Sequence, residues 1–114
     1  MSIPEEVRAD AEVALAEFCR AHTTEAVASQ LRYEYGFETN SALLIERRPG
    51  FLNPAEWGSK PLAKFRYSAA KAMWSLSWSD SSGKWHRVSG VKPASDIRVL
   101  LAAVLKDDSG VFWG

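Results

Sequence analysis

The stretch "LAKFRYSAAKAMWSLSWSDSSGKWHRV", residues 62–88, decides the fold class. Ala63, Phe65 and Tyr67 alternate with Lys64, Arg66 and Ser68, and Trp74, Leu76 and Trp78 alternate with Ser75, Ser77 and Ser79. A period of two, with aromatic residues on one side and polar ones on the other, is the pattern of a half-buried strand. "DSSG" is a turn signal, and "KWHRV" reads as a further short strand. Strands joined by turns this short run antiparallel, because a parallel neighbour needs a crossover of a dozen or more residues.

Upstream, "QLRYEYGF" (30–37) alternates Leu31, Tyr33, Tyr35 and Phe37 with Arg32, Glu34 and Gly36, "ETNS" turns the chain, and "ALLIERR" (42–48) returns. Residues 49–61, "PGFLNPAEWGSKP", hold three prolines and two glycines and read as an irregular loop. Toward the N-terminus the period becomes helical: Val7, Ala11, Ala14, Leu15, Phe18, Cys19 and His22 share one face. "SIPE" has the spacing of a capping box from Ser2 to Glu5, with Pro4 in the first turn. At the other end Ile97, Leu100, Leu101, Val104 and Leu105 form an apolar stripe, with Ser95 as the expected N-cap and Gly110 past the end. The expected architecture is one α+β domain over 1–114. An N-terminal helix (1–29) precedes an antiparallel β-meander of about five strands, a C-terminal helix and a tail (30–114), with both helices on one face of the sheet.

At 114 residues, 46% hydrophobic and 25% charged, the chain has the size and composition of a single soluble domain. No apolar run reaches the ~20 residues of a membrane helix. The opening "MSIPEEVRAD" is acidic where a secretion signal is basic, and the lone Cys19 suits a reducing compartment, so a cytoplasmic location is expected. The net charge is zero but unevenly spread: residues 1–46 carry nine acids and three bases, residues 47–92 nine bases and two acids. That asymmetry marks either a polyanion-binding face or an acidic helix neutralised by a basic sheet.

If Phe65, Tyr67, Trp74, Leu76 and Trp78 face the helices, the opposite face carries Lys64, Arg66, Ser75 and Ser77, joined by Arg32 and Glu34. Turning Leu43 and Ile45 inward puts Glu46 and Arg48 on that open face and sends Arg47 to the apolar side, toward a carboxylate or a helix end. An inward Trp85 adds His86 to the open face. The candidate binding residues are therefore Glu46, Arg47, Arg48, Trp57, Arg66 and His86, with Arg47, Arg48, Arg66 and His86 as an anion-contacting patch and Trp57 as an exposed anchor. Residues 47–92 interleave nine bases with seven aromatics, a composition suited to single-stranded nucleic acid. The terminal "VFWG" is expected to pair at a sheet edge, burying Phe112 and Trp113.

Motifs for other chemistries are missing. Cys19, His22 and His86 are too few for a zinc site, and there is no nucleophile elbow, phosphate loop or dinucleotide fingerprint. No metal or cofactor is expected. The expected function is a non-catalytic binding module for a protein or a single-stranded nucleic acid. The alternative is a metal-dependent, nuclease-like phosphodiesterase built on Glu46 with a second acid such as Glu34, in which Arg48 stabilises charge but cannot act as the base.

"LIERRPG", "LAKFRY", "MWSLSWSDSSGKWHRV" and "LLAAVLKDDSGVFWG", in that order, resemble a family of small bacterial proteins known as domain of unknown function 3024. The likeness spans about residues 30–114 and, more loosely, the N-terminal helix. It implies no activity, cofactor or substrate. It does imply that Glu46, Arg47, Arg48, Trp57, Arg66, Trp78, Trp85, His86, Phe112 and Trp113 belong to the family pattern. Gly50-Phe51 in place of Pro-Trp, and Val88 in place of an aromatic, depart from that pattern.

Overall fold

The computed structural model describes residues 3–23, 30–50, 52–108 and 110–112. Helix α1, Glu5–His22, is followed by strands β1 (Arg32–Phe37), β2 (Ser41–Pro49), β3 (Trp57–Ser68), β4 (Met73–Ser79) and β5 (Trp85–Arg87), then helix α2, Ile97–Lys106. The strands form one antiparallel sheet in chain order, and both helices cover the same face, an α+β arrangement. Ser2 of the expected capping box lies outside the described residues. Pro4 occupies the N-cap without a side-chain hydrogen bond, and Glu5 and Glu6 in the first turn complement the helix dipole.

Residues directly opposite in an antiparallel ladder share a face. Phe65 is opposite Ala42 and Leu76, and Ala63 is opposite Leu44 and Trp78. These side chains, with Trp74 and Tyr67, meet Ala11, Ala14, Leu15 and Phe18 of α1 and Ile97, Leu100, Leu101 and Val104 of α2 in one buried cluster. Fully burying side chains of this size stabilises by about 1.5–3 kcal/mol each. Trp78 is only partly covered, at the margin of the cluster.

Four sequence expectations need correction in β2, β3, α2 and the tail. In β2 the inward residues are Ala42 and Leu44, both at 0% exposure, not Leu43 and Ile45. Three consecutive aliphatics leave alternation undecided. Pairing with β1 resolves it, since Tyr35 and Phe37 face the helices and stand opposite Leu44 and Ala42. Second, β3 begins at Trp57, five residues before the expected strand, despite Gly58 and Pro61. Pro61 is tolerated because the ladder slips there: Leu44 pairs with Ala63 and Ile45 with Pro61, so Leu62 has no partner on β2 and turns into the core. The loop at the tip of this hairpin closes through Gly50 N–H to the Glu56 carbonyl (2.7 Å). A side chain at Gly50 would stand 2.7 Å from the Asn53 carbonyl oxygen, so the tip requires glycine.

Third, the N-cap of α2 is Asp96, not Ser95; its carboxylate accepts from Arg98 N–H at 2.9 Å. Fourth, the described tail residues 110–112 do not pair at a sheet edge. Asp107, in the left-handed conformation (φ 47°), ends α2, and its carboxylate accepts the Phe112 N–H at 3.1 Å. Phe112 thereby lines a cleft of about 490 Å³ between α2 and residues 88–94. Trp113 lies outside the described residues. Arg98 Nη1 joins the helices by donating to both oxygens of Asp10 at 3.0 and 3.2 Å, an exposed pair that solvent screens.

Candidate anion-binding face

The face of the sheet turned away from the helices carries a concave site, and strand alternation explains its shape. Lys64 and Arg66 of β3 point to this side because Ala63, Phe65 and Tyr67 are committed to the core. Across the ladder, Lys64 is opposite Ser77, which is opposite Arg87 of β5; Arg66 is opposite Ser75; and Trp85 is opposite Ser79. Two short serine side chains therefore form a floor, with long side chains standing on either side. The result is a trough of about 560 Å³ lined by Asn40, Ser41, Lys64, Arg66, Ser75, Ser77, Trp85 and Arg87. Ser41, opposite Arg66 in the ladder, is fully buried and donates to Asn40 Oδ1 at 3.2 Å.

The lining holds three cations and no acid. Lys64 Nζ is 3.2 Å from Glu38 and stands 5.6 Å from the centre of the Trp85 ring, a cation–π approach. Arg66 and Arg87 are both exposed, and neither is in an ion pair with a described residue. At the far end of the same face the Arg32 guanidinium lies 4.4 Å over Trp57, and Arg47 donates to Glu34 at 3.3 Å. The Nε of Arg47 is buried and has no hydrogen-bond partner among the described residues.

A family model described as Domain of unknown function (DUF3024) matches residues 3–114. The chain belongs to that family. No curated protein and no solved structure matches it significantly. The DUF3024 assignment brings no activity with it, so the site is read from its chemistry.

Within the DUF3024 fold the sequence-predicted site residues do not come together. Arg66 lies in the trough. Trp57 and Arg47 lie on the same open face at its far end, and Arg47 does reach a carboxylate, but on the open side rather than the apolar one. Glu46 and Arg48 are paired, Arg48 Nε donating to Glu46 at 2.5 Å, yet they project on the helix side. Glu46 stands opposite Tyr33, which packs against Phe18. Burial and the neighbouring Glu46 carboxylate push the Tyr33 hydroxyl above its ordinary pKa. Glu34 stands opposite Ile45 on the open face, so Glu34 and Glu46 occupy opposite sides of the sheet and do not converge. No group of three or more His, Cys, Asp or Glu side chains capable of holding a metal occurs among the described residues.

His86 is likewise on the helix side, opposite Trp78 with ring centres 5.0 Å apart. Its Nε2 is 2.6 Å from Asp80 Oδ2. The other oxygen of Asp80 accepts from Ser82 Oγ (2.7 Å), Ser82 N–H (2.9 Å) and Lys84 N–H (3.0 Å). The His86 hydrogen bond, then those from Ser82 and Lys84, hold the Asp80 carboxyl well below the usual carboxylate range. This cluster locks the β4–β5 turn. Cys19 is buried in the helix–sheet core, and burial raises its thiol to about 11, an inert structural cysteine.

Sequence reasoning missed Trp85 and Arg87. The strand "WHR" is too short for a period to show. The signal that could have found them is Val88: its N–H reaches the Leu76 carbonyl (3.1 Å) and its side chain is buried. An inward Val88 requires an inward His86, and so outward Trp85 and Arg87.

Proposed function

We propose that this DUF3024 chain is a non-catalytic binding module that takes an anionic partner on the open face of its sheet. The supporting observation is the trough: Arg66 and Arg87, each without an acidic partner among the described residues, flank the hydroxyls of Ser75 and Ser77 beside Lys64. Surface arginines left unneutralised on a concave floor raise the local anion concentration, and guanidinium groups suit bidentate contact with phosphate or carboxylate. The phosphodiesterase reading finds less support, because Glu46 commits its carboxylate to Arg48 and its nearest candidate partner, Glu34, is on the other face. A cytoplasmic location belongs to the same proposal; among the described residues no helix is long and apolar enough to cross a membrane.

Retention on a heparin column tests the reading. The wild type is expected to elute late and salt-dependently, and the double variant Arg66→Glu/Arg87→Glu to pass through. Arg48→Glu, on the other face, is expected to elute near the wild type. A wild type that is not retained, or a double variant retained as strongly as the wild type, overturns the proposal.

A further inference from the structure

The open face repeats one arrangement. At one end Lys64 stands against the Trp85 ring, and at the other Arg32 lies over Trp57. Both aromatics are partly exposed. β5 is the last strand of the sheet among the described residues, and none of these forms a strand beyond the Trp85 ring. Two strand spacings across and about five residues along β3 place the two rings roughly 18 Å apart. Arg47, paired with Glu34, lies between them, and Lys64, Ser77, Arg87 and Arg66 follow beyond Trp85 on the side away from Trp57.

We infer that the occupant of this face is single-stranded nucleic acid, with backbone phosphate in the Arg66–Arg87–Ser77 trough and a base stacked on Trp85. The inference rests on the anion-binding reading and narrows it. An acidic polypeptide uses the cations alone and leaves both indoles idle. A nucleic-acid strand presents anion and aromatic ring in regular repeat, and the face offers cation and aromatic ring twice in the same association. Sequence-tolerant stacking on aromatics beside a cationic track is the established physics of single-strand binding. The span between the two rings is covered by a few nucleotides. Double-stranded nucleic acid keeps its bases stacked on one another and cannot use the rings.

Fluorescence anisotropy with the full chain tests this. The probes are a labelled oligothymidylate of roughly a dozen nucleotides and a base-free deoxyribose-phosphate oligomer of equal length, with polyglutamate as competitor. The base-bearing strand is expected to bind about fivefold to a hundredfold more tightly than the base-free one. Trp85→Leu is expected to abolish that difference, and Trp57→Leu to reduce it. Arg66→Ala and Arg87→Ala are each expected to lower the slope of log affinity against log salt by about 0.7. The wild-type comparison of the two probes does not depend on any variant folding. Equal binding of both strands, or polyglutamate competing as strongly as oligothymidylate, overturns the nucleic-acid inference and leaves the anion-binding function standing. Binding of none of the three polymers overturns both.

Discussion

On the helix side of β3 and β4, Phe65, Trp74 and Leu76 are at or below 2% exposure, whereas on the other side of the same two strands Lys64, Arg66, Ser75 and Ser77 reach solvent. One backbone supplies both faces, and they obey different rules. The covered face is held by volume, so each residue is constrained by those opposite it and by the helices above. The open face is constrained only by parity: a residue arrives there because its neighbours are needed inside. That freedom lets the open face collect cations around a serine floor without disturbing the fold, and it is where a binding function can sit at little cost in stability.

The contrast can be broken most directly by exchanging damage between the faces. Trp74→Ala is expected to destabilise by about 3–5 kcal/mol in urea unfolding, and Arg66→Ala, next in sequence to Tyr67, the cross-strand partner of Trp74, to stay within about 0.5 kcal/mol. Comparable losses from the two would show that the open face is structural as well.

A second test concerns the turn that delivers Trp85 and Arg87 to the open face. The folded-state pKa of Asp80 is depressed below the ordinary 3.8, chiefly by the His86 hydrogen bond, so its stabilisation is complete above that value and lost as pH falls below it. Thermal unfolding followed from about pH 5 to about pH 2 should show the wild type losing more melting temperature than Asp80→Asn, which begins lower. Parallel curves would mean that the turn does not depend on this carboxylate.

The smallest expected effect lies where both faces share a connection. Ala72, in the β3–β4 turn, has φ 53°, a left-handed conformation disfavoured for alanine. Ala72→Gly is expected to stabilise by roughly 0.5–1 kcal/mol, the strain relief being partly offset by unfolded-state entropy. Because it touches neither face, anion binding should not change. A destabilised Ala72→Gly variant, measured by urea unfolding, would show that the turn is not strained.

Most of the fold was legible in the sequence because its elements announce themselves locally. The stripe Leu100–Leu101–Val104, the alternation of Trp74, Leu76 and Trp78, and the "DSSG" turn each point to one structure, and they agree with one another. The site was less legible. Arg66 was placed correctly by its strand's unambiguous alternation. Glu46, Arg48 and His86 were placed on the wrong face, because "LLI" and "WHR" contain no internal reference for parity.

The sequence by itself determined the order of helices and strands and the inward face of β3 and β4, which follow from periodicity within single segments, and the antiparallel pairing, which follows from turns too short for a crossover. Only the tertiary structure decided the parity of β2 and β5, the slip at Leu62 and therefore which cations share a surface. The physical reason is that a strand's side chains alternate strictly, so a one-residue ambiguity reverses the whole strand. What resolves it is not in the strand: for β2 it is the ladder with Tyr35 and Phe37, and for β5 the burial of Val88 against β4.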